Sequence, residues 1–134
     1  MKILVIISLV TMSLTATAMD SIVGTRAIIG EAAGEPFTTK LAIASALRNR
    51  DSLDGVRGFS NARMIDAQPG YVWADAHRAW AMSATNDIVN GATFFESSNF
   101  PTPYWARGIK PVATVGVFRF WKLNPPAKTY LALR

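Results

Sequence analysis

The sequence predicts an α+β domain, with helices in the first part of the chain and a small antiparallel sheet or hairpin in the last third. Apolar residues recur at helical spacing between residues 21 and 50 and again between residues 70 and 89. After residue 91 the pattern changes to aromatic and β-branched residues that alternate with polar ones. The length of 134 residues fits one domain with a single core.

The first 18 residues have the pattern of a secretory signal peptide. Lys2 precedes an apolar run over residues 3–10, and the segment ends on Ala16-Thr17-Ala18. A short positive start, an apolar centre and an A-x-A end are typical of such signals. An uncleaved membrane anchor is the alternative, but the apolar centre is short for a membrane span. We therefore predict a signal peptide over 1–18, one catalytic domain over 19–134, and export to the periplasm or the extracellular wall without stable membrane insertion.

Three helices are predicted before the sheet. The first covers residues 21–33 with Ser21 as its N-cap, and Gly34-Glu35-Pro36 ends it because the residue before a proline is driven out of the α region. Thr38 is the predicted cap of a second helix that runs to about Arg50. Trp73, Ala76 and Trp80 mark a third helix, predicted over residues 70–89.

Two strands are predicted in the last third. Residues 92–96 contain consecutive aromatic residues, and residues 112–121 alternate as a strand does. A proline-rich loop over residues 101–103 separates them. This order, with helices first and then paired strands, is the basis of the α+β prediction.

The charge balance indicates an anionic partner. The net charge is +5, and loss of Lys2 with the signal leaves +4. A bacterial wall, a membrane surface or a nucleic acid would suit such a protein, but the cations are scattered singly, and we therefore expect no nucleic-acid partner. The chain has no Cys and one His, His77, so no metal site and no cofactor are predicted.

Glu31 is the candidate catalytic residue. It follows Ala27 and Ile28 at helical spacing and lies in the predicted last turn, where unsatisfied carbonyl groups concentrate negative charge. Burial and that position both favour the protonated carboxyl that a general acid requires. The alternative from composition alone is an ordinary salt bridge to Arg26 or Arg48.

Four blocks of the chain resemble the SleB-like cell wall hydrolases, in the same order. The first is "RAIIGEAAGEPFTTKLAIASALRNR" over residues 26–50, which carries the G-E-A-x-G-E pattern. "AWAMSATNDIVNGATFFES", "PYWA" and "VATVGVFRFWK" follow. The resemblance covers roughly residues 22–122, and four ordered blocks are more specific than the acidic motif alone.

The resemblance implies a lysozyme-like α+β fold that cleaves peptidoglycan glycan strands, as a lytic transglycosylase or muramidase, with Glu31 as the catalytic acid. Two positions depart from the family pattern. Phe118 stands where the family commonly has histidine, and Phe94-Phe95 after "GAT" stands where the family often has His-Tyr, His-Phe or His-Trp. A catalytically impaired wall-binding or assembly protein of the same fold is therefore the alternative, and a basic interaction module with ordinary acids is a third possibility. Oligomeric state is not predictable.

A second carboxylate is required for hydrolysis but not for transglycosylation, in which the 6-hydroxyl of the muramic acid attacks in place of water. Glu35, Glu96 and Asp87 are the candidates. Glu35 follows a helix break and is also suited to a cap or a surface ion pair. Glu96 follows two aromatic residues on a predicted strand, whereas Asp87 is suited to local hydrogen bonds.

Aromatic residues are the candidate substrate-binding groups, because flat rings suit the apolar faces of sugars. Tyr104 and Trp105 lie in a proline-flanked loop of the kind found at the surface. Phe94 would share a strand face with Glu96, and Trp121 ends the second strand.

Overall fold

The computed structural model describes residues 19–123, in which four α-helices precede a three-stranded antiparallel sheet. The predicted signal peptide and residues 124–134 lie outside the described residues. The helices are α1 (Ser21–Ala32), α2 (Phe37–Arg50), α3 (Ala62–Asp66) and α4 (Gly70–Ser83), and the strands are β1 (Phe94–Ser97), β2 (Ala113–Val115) and β3 (Phe118–Trp121). The predicted α+β class is confirmed. The boundary at residue 19 stays a prediction.

The N-termini of α1 and α2 differ from the sequence predictions. Asp20, not Ser21, caps α1, and its carboxylate accepts hydrogen bonds from the backbone N–H groups of Ile22 at 2.7 Å and Val23 at 3.1 Å. A carboxylate one residue earlier reaches both N–H groups and also suits the positive end of the helix dipole. Helix α2 begins at Phe37 after Pro36, without a side-chain cap, so Thr38 is inside the helix.

Helix α4 packs against both α1 and α2. The indole of Trp80 lies on Gly24, where a Cβ atom would come within 2.5 Å of the ring, so only glycine permits this spacing. Arg48 of α2 also contacts Trp80. Its guanidinium lies 4.0 Å from the centroid of the Trp80 ring, and it donates a 2.6 Å hydrogen bond to the Trp80 carbonyl. Burial lowers the pKa of Arg48 from its ordinary value.

Helix α4 ends at Ser83, six residues before the predicted end at residue 89. Hydrogen bonds from side chains that follow Ser83 replace the backbone hydrogen bonds of a further helical turn. Asn86 donates a 3.0 Å hydrogen bond to the Met82 carbonyl, and Asp87 accepts from the N–H groups of Val89 at 2.9 Å and Gly91 at 2.7 Å. Such short polar side chains stabilise turns in competition with a helix.

The predicted strand over residues 112–121 is two strands joined by a tight turn. Gly116 has a φ of +56° and allows the chain to reverse between β2 and β3. The sheet has the order β1-β3-β2, with β1 at one edge. The short 3-10 turn Arg57–Ser60 and helix α3 occupy the region between residues 51 and 69, where no helix was predicted.

The sheet separates two clusters of buried side chains. Phe118 and Phe120 face the helical core, which contains Ile28, Ile43 and Leu47. On the other face, a smaller group that we call the aromatic cluster consists of Phe94, Trp105, Ala106, Trp121 and Leu123. Within residues 19–123, none of the helices combines the length and apolar character needed to span a lipid bilayer.

Candidate active site

A cleft of about 270 Å³ opens between the C-terminal end of α1 and the edge strand β1. One side, the helical wall, consists of the end of α1, the end of α2 and the turns that follow them: Glu31, Glu35, Arg50, Gly55 and Arg57. The other side, the strand wall, consists of β1, the loop after it and the start of β3: Phe94, Phe95, Glu96, Ser97, Asn99, Phe100, Val117 and Phe118. All three glutamates proposed from the sequence therefore line one cleft.

Glu31 lies in the last turn of α1, as predicted, and its side chain is half-buried in the cleft. The backbone N–H of Gly58 donates a 2.9 Å hydrogen bond to Glu31 Oε1. This bond comes from the 3-10 turn Arg57–Ser60, and it fixes the orientation of the Glu31 carboxyl group. The arginines considered as salt-bridge partners interact elsewhere: Arg26 binds Asp66 at 2.7 Å and Arg48 binds α4.

A close backbone crossing holds this arrangement. A Cβ atom on Gly58 would lie 2.0 Å from the Gly30 carbonyl oxygen, and one on Gly30 would lie 2.4 Å from the Gly58 carbonyl carbon. Only glycine at both positions lets the 3-10 turn approach the last turn of α1. Gly30 thus makes room for Gly58, whereas Gly34 has open space beside it.

Glu35 lies in the short connection between α1 and α2, with a half-buried side chain that also lines the cleft. Its backbone is held at two points. The Glu35 N–H donates to the Ala32 carbonyl at 3.1 Å, and Lys40 Nζ donates to the Glu35 carbonyl at 2.7 Å. Because Lys40 is only 2% exposed, the connection is anchored to the helical core.

Glu96 and Phe94 lie on the same face of β1, as the alternation predicted. Glu96 is directly opposite Arg119 of β3 in the antiparallel register, so an acidic and a basic residue are cross-strand neighbours. Phe94 is only 2% exposed and lines the cleft. The guanidinium of Arg50 lies 4.8 Å from its ring centroid, and Arg50 also donates a hydrogen bond to the Asp54 carbonyl.

The other three aromatic candidates lie outside the cleft lining. Trp105 and Trp121 are 5% and 1% exposed, and their rings meet edge to face at 5.3 Å within the aromatic cluster. Trp121 Nε1 donates a 3.1 Å hydrogen bond to the Ile109 carbonyl. Rings buried in this way present no open face to a sugar. Tyr104 is 41% exposed but does not line the cleft.

Asp87, the weakest candidate for a second acid, lies in the turn after α4. Besides the two backbone N–H groups of that turn, it accepts a 3.2 Å hydrogen bond from Asn49 Nδ2. It does not line the cleft. Its position agrees with the local hydrogen-bonding role that the sequence favoured.

Sequence reasoning did not identify Arg57, Gly58 or Phe100. Arg57 and Phe100 line the cleft from opposite walls, and Phe100 is 62% exposed. Both belong to irregular segments without periodicity, so nothing local distinguished them. Among residues 19–123, no group of three His, Cys, Asp or Glu side chains is arranged to hold a metal ion.

No protein-family model and no curated protein matches this sequence. Two solved structures match its fold. The catalytic domain of the germination-specific lytic transglycosylase SleB from Bacillus anthracis superposes with a TM-score of 0.58 at 21% identity, over 76% of this chain and 93% of that one. The SleB catalytic domain from Bacillus cereus gives 0.57 and 22%, over 76% and 88%. The resemblance read from the four sequence blocks is therefore confirmed for the fold, and the chain has the α+β fold of the SleB catalytic domains.

Proposed function

We propose that this protein is an exported enzyme that cleaves the glycan strands of peptidoglycan, with Glu31 as general acid and base. The observation that carries the proposal is the convergence of Glu31, Glu35 and Glu96 on one open cleft. Acids on a helix end, a helix connection and a strand edge come together here through tertiary structure. Further support comes from the fold, which is shared with domains named as lytic transglycosylases.

In the proposed reaction, Glu31 donates its proton to the glycosidic oxygen as the bond from that oxygen to C1 of the muramic acid breaks. The positive charge that develops at C1 is shared with the ring oxygen. The 6-hydroxyl oxygen of the same sugar then bonds to C1, and its proton passes to the Glu31 carboxylate. The products are a 1,6-anhydromuramyl end and a new hydroxyl end, and the enzyme regains its starting protonation state.

Gly58 has a defined part in this scheme. Its N–H binds Oε1 of Glu31 at 2.9 Å and thereby restricts the rotation of the carboxyl group. A proton donor must be held within hydrogen-bond reach of the leaving oxygen in a narrow range of angles. The backbone crossing at Gly30 therefore supports catalysis through orientation.

The test is incubation of the purified protein with peptidoglycan, followed by mass spectrometry of the released fragments. Anhydromuramyl ends would indicate transglycosylation, and reducing ends would indicate hydrolysis assisted by a second carboxylate. We expect Glu31→Gln to bind the wall while product release falls by about a hundredfold or more. Asp75→Asn, which removes an acid on α4 outside the cleft, is the matched control and should cleave normally. Unchanged release from Glu31→Gln would refute the assignment.

A wall-binding protein without turnover is the second candidate, because of the residues at the strand wall. Phe94 and Phe118 line the cleft and occupy the two positions at which the family pattern commonly has histidine. Binding of intact glycan with no released product from the wild-type protein would favour this candidate over the enzyme.

A further inference from the structure

We propose that the loop after β1 presents Phe100 as a stacking platform for a pyranose ring at the mouth of the cleft, and that Arg119 is the residue that positions it. This inference rests on the proposed function, because it takes the ligand to be a glycan strand. It adds a binding subsite beside the acids that line the cleft.

Phe100 combines an exposed ring with an ordered backbone. Its side chain is 62% exposed and lines the cleft, and it belongs to neither buried cluster. Its N–H donates to the Ser97 carbonyl at 3.1 Å, and its carbonyl accepts from Arg119 Nη2 at 3.1 Å. The ring is therefore held towards solvent by a backbone that is hydrogen-bonded on both sides.

Arg119 connects this loop to the centre of the sheet. Besides the Phe100 carbonyl, it donates from Nη1 to Thr102 Oγ1 at 2.9 Å. Its guanidinium lies 5.3 Å from the ring centroid of Trp121, which is part of the aromatic cluster. The planar guanidinium thus bonds two points of the loop at once while it rests on the core.

The position of Phe100 suits a sugar. The hydroxyl and acetamide groups of a sugar require polar partners in the protein. One face of the pyranose ring, however, presents mainly C–H groups and suits an apolar partner. Binding sites for small polar ligands combine convergent polar groups with an apolar or aromatic surface. In this cleft the polar groups include the three glutamates and Arg57, and Phe100 is the aromatic residue of the lining that is most exposed.

A single exposed aromatic residue is also common on protein surfaces without any function. Tyr71 is such a residue in this chain, because it is 71% exposed on α4 and does not line the cleft. It provides a matched control. Removal of either ring exposes no core, so both variants should remain folded and any difference between them will report on the ligand.

The experiment compares Phe100→Ala, Phe100→Tyr, Arg119→Gln and Tyr71→Ala in steady-state cleavage of soluble, peptide-free glycan strands. Binding of the same strands is measured by calorimetry in the Glu31→Gln background. We expect Phe100→Ala to raise KM and Kd about five- to tenfold with kcat nearly unchanged, because stacking contributes equally to the ground and transition states. Phe100→Tyr should restore the binding, and Tyr71→Ala should match the wild type.

Arg119→Gln should raise KM in the same direction. If Arg119 acts through Phe100, the double variant will bind no more weakly than Phe100→Ala alone, whereas a purely structural role would give additive losses and a lower unfolding midpoint. Normal KM and Kd for Phe100→Ala in a protein that cleaves glycan would overturn the stacking proposal and leave the proposed function intact. A wild-type protein that neither binds nor cleaves glycan would overturn both.

Discussion

The helical wall and the strand wall of the cleft are held in place by different means. The helical wall is fixed by a backbone crossing in which Gly30 and Gly58 leave no room for a Cβ atom. The strand wall carries its exposed ring on a loop that side-chain hydrogen bonds from Arg119 hold to the sheet. Backbone contact tolerates almost no displacement, whereas a side-chain anchor permits small adjustments.

This difference matches what each wall is proposed to do. A proton donor requires a fixed orientation relative to the bond that breaks, so Glu31 benefits from a rigid setting. A binding surface for a polymer gains from some freedom, because successive sugar units arrive in slightly different poses. Substitutions that act on one wall at a time can test this division.

The largest effect is expected beneath the strand wall, where Trp105→Ala should lower the free energy of unfolding by about 4 kcal/mol. The indole is 5% exposed and packs on Phe94 and Trp121 at centroid distances of 5.2 and 5.3 Å. Urea unfolding followed by circular dichroism measures the change. The control is Tyr104→Ala, which removes a neighbouring, 41% exposed ring and should cost about 1 kcal/mol or less. A stable Trp105→Ala protein that has lost glycan binding would show that Trp105 meets substrate.

A smaller loss is expected at the helical wall, where Gly58→Ala should destabilise the protein by about 2 to 3 kcal/mol and also reduce cleavage. The new methyl group would meet the Gly30 carbonyl at 2.0 Å and push the 3-10 turn, with its N–H donor, away from Glu31. Gly34→Ala is the matched control because nothing lies within 4 Å of its Cβ position. It should be neutral within about 0.5 kcal/mol. Equal stability of the two variants would argue against a rigid crossing.

The two walls each offer one candidate for the second carboxylate, Glu96 on the strand wall and Glu35 on the helical wall. We expect Glu96→Gln to reduce kcat about tenfold, and Glu35→Gln to reduce it less than about threefold. Glu96 lines the cleft beside Phe94 on the edge strand β1, whereas Glu35 lies in a connection whose backbone is already bound by Lys40. Product analysis and kcat on purified peptidoglycan measure both. The reverse order would assign the second acid to the helical wall.

The smallest effect is expected from Thr102→Val, which removes one of the two loop hydrogen bonds of Arg119. A single neutral partner of this kind contributes about 1 kcal/mol. We expect KM for glycan to rise about two- to threefold with kcat unchanged. If kcat falls instead, the loop contributes to the chemical step and the proposed division between the walls is wrong.

Much of the fold could be predicted locally. Periodicity identified α1, α2 and α4, and the change of pattern after residue 91 identified the sheet. The errors arose where side chains compete with regular structure. Asn86 binds the Met82 carbonyl in the last turn of α4, and Asp87 binds N–H groups beyond Ser83, so α4 ends early. Gly116 turns one apparent strand into a hairpin. These effects depend on a few hydrogen bonds or one dihedral angle, which periodicity does not measure.

The candidate site was only partly predictable. Local properties placed Glu31 at a helix end beside apolar residues, and the family resemblance singled it out as the candidate acid. No local pattern placed Glu35 and Glu96 in the same cleft. The exposure of the aromatic residues, in contrast, could not be predicted from local sequence. Trp121 and Phe100 are both aromatic residues near the ends of short elements, yet one is 1% exposed and the other 62%.

The sequence by itself determined where α1, α2, α4 and the sheet lie and placed an acid at the end of α1, because periodicity acts between residues a few positions apart. Only the tertiary structure decided that Gly58 meets Gly30, that Glu96 shares a cleft with Glu31, and which aromatic rings are buried. These contacts join segments that are tens of residues apart. They depend on how the sheet packs against the helices, and no local pattern encodes that packing.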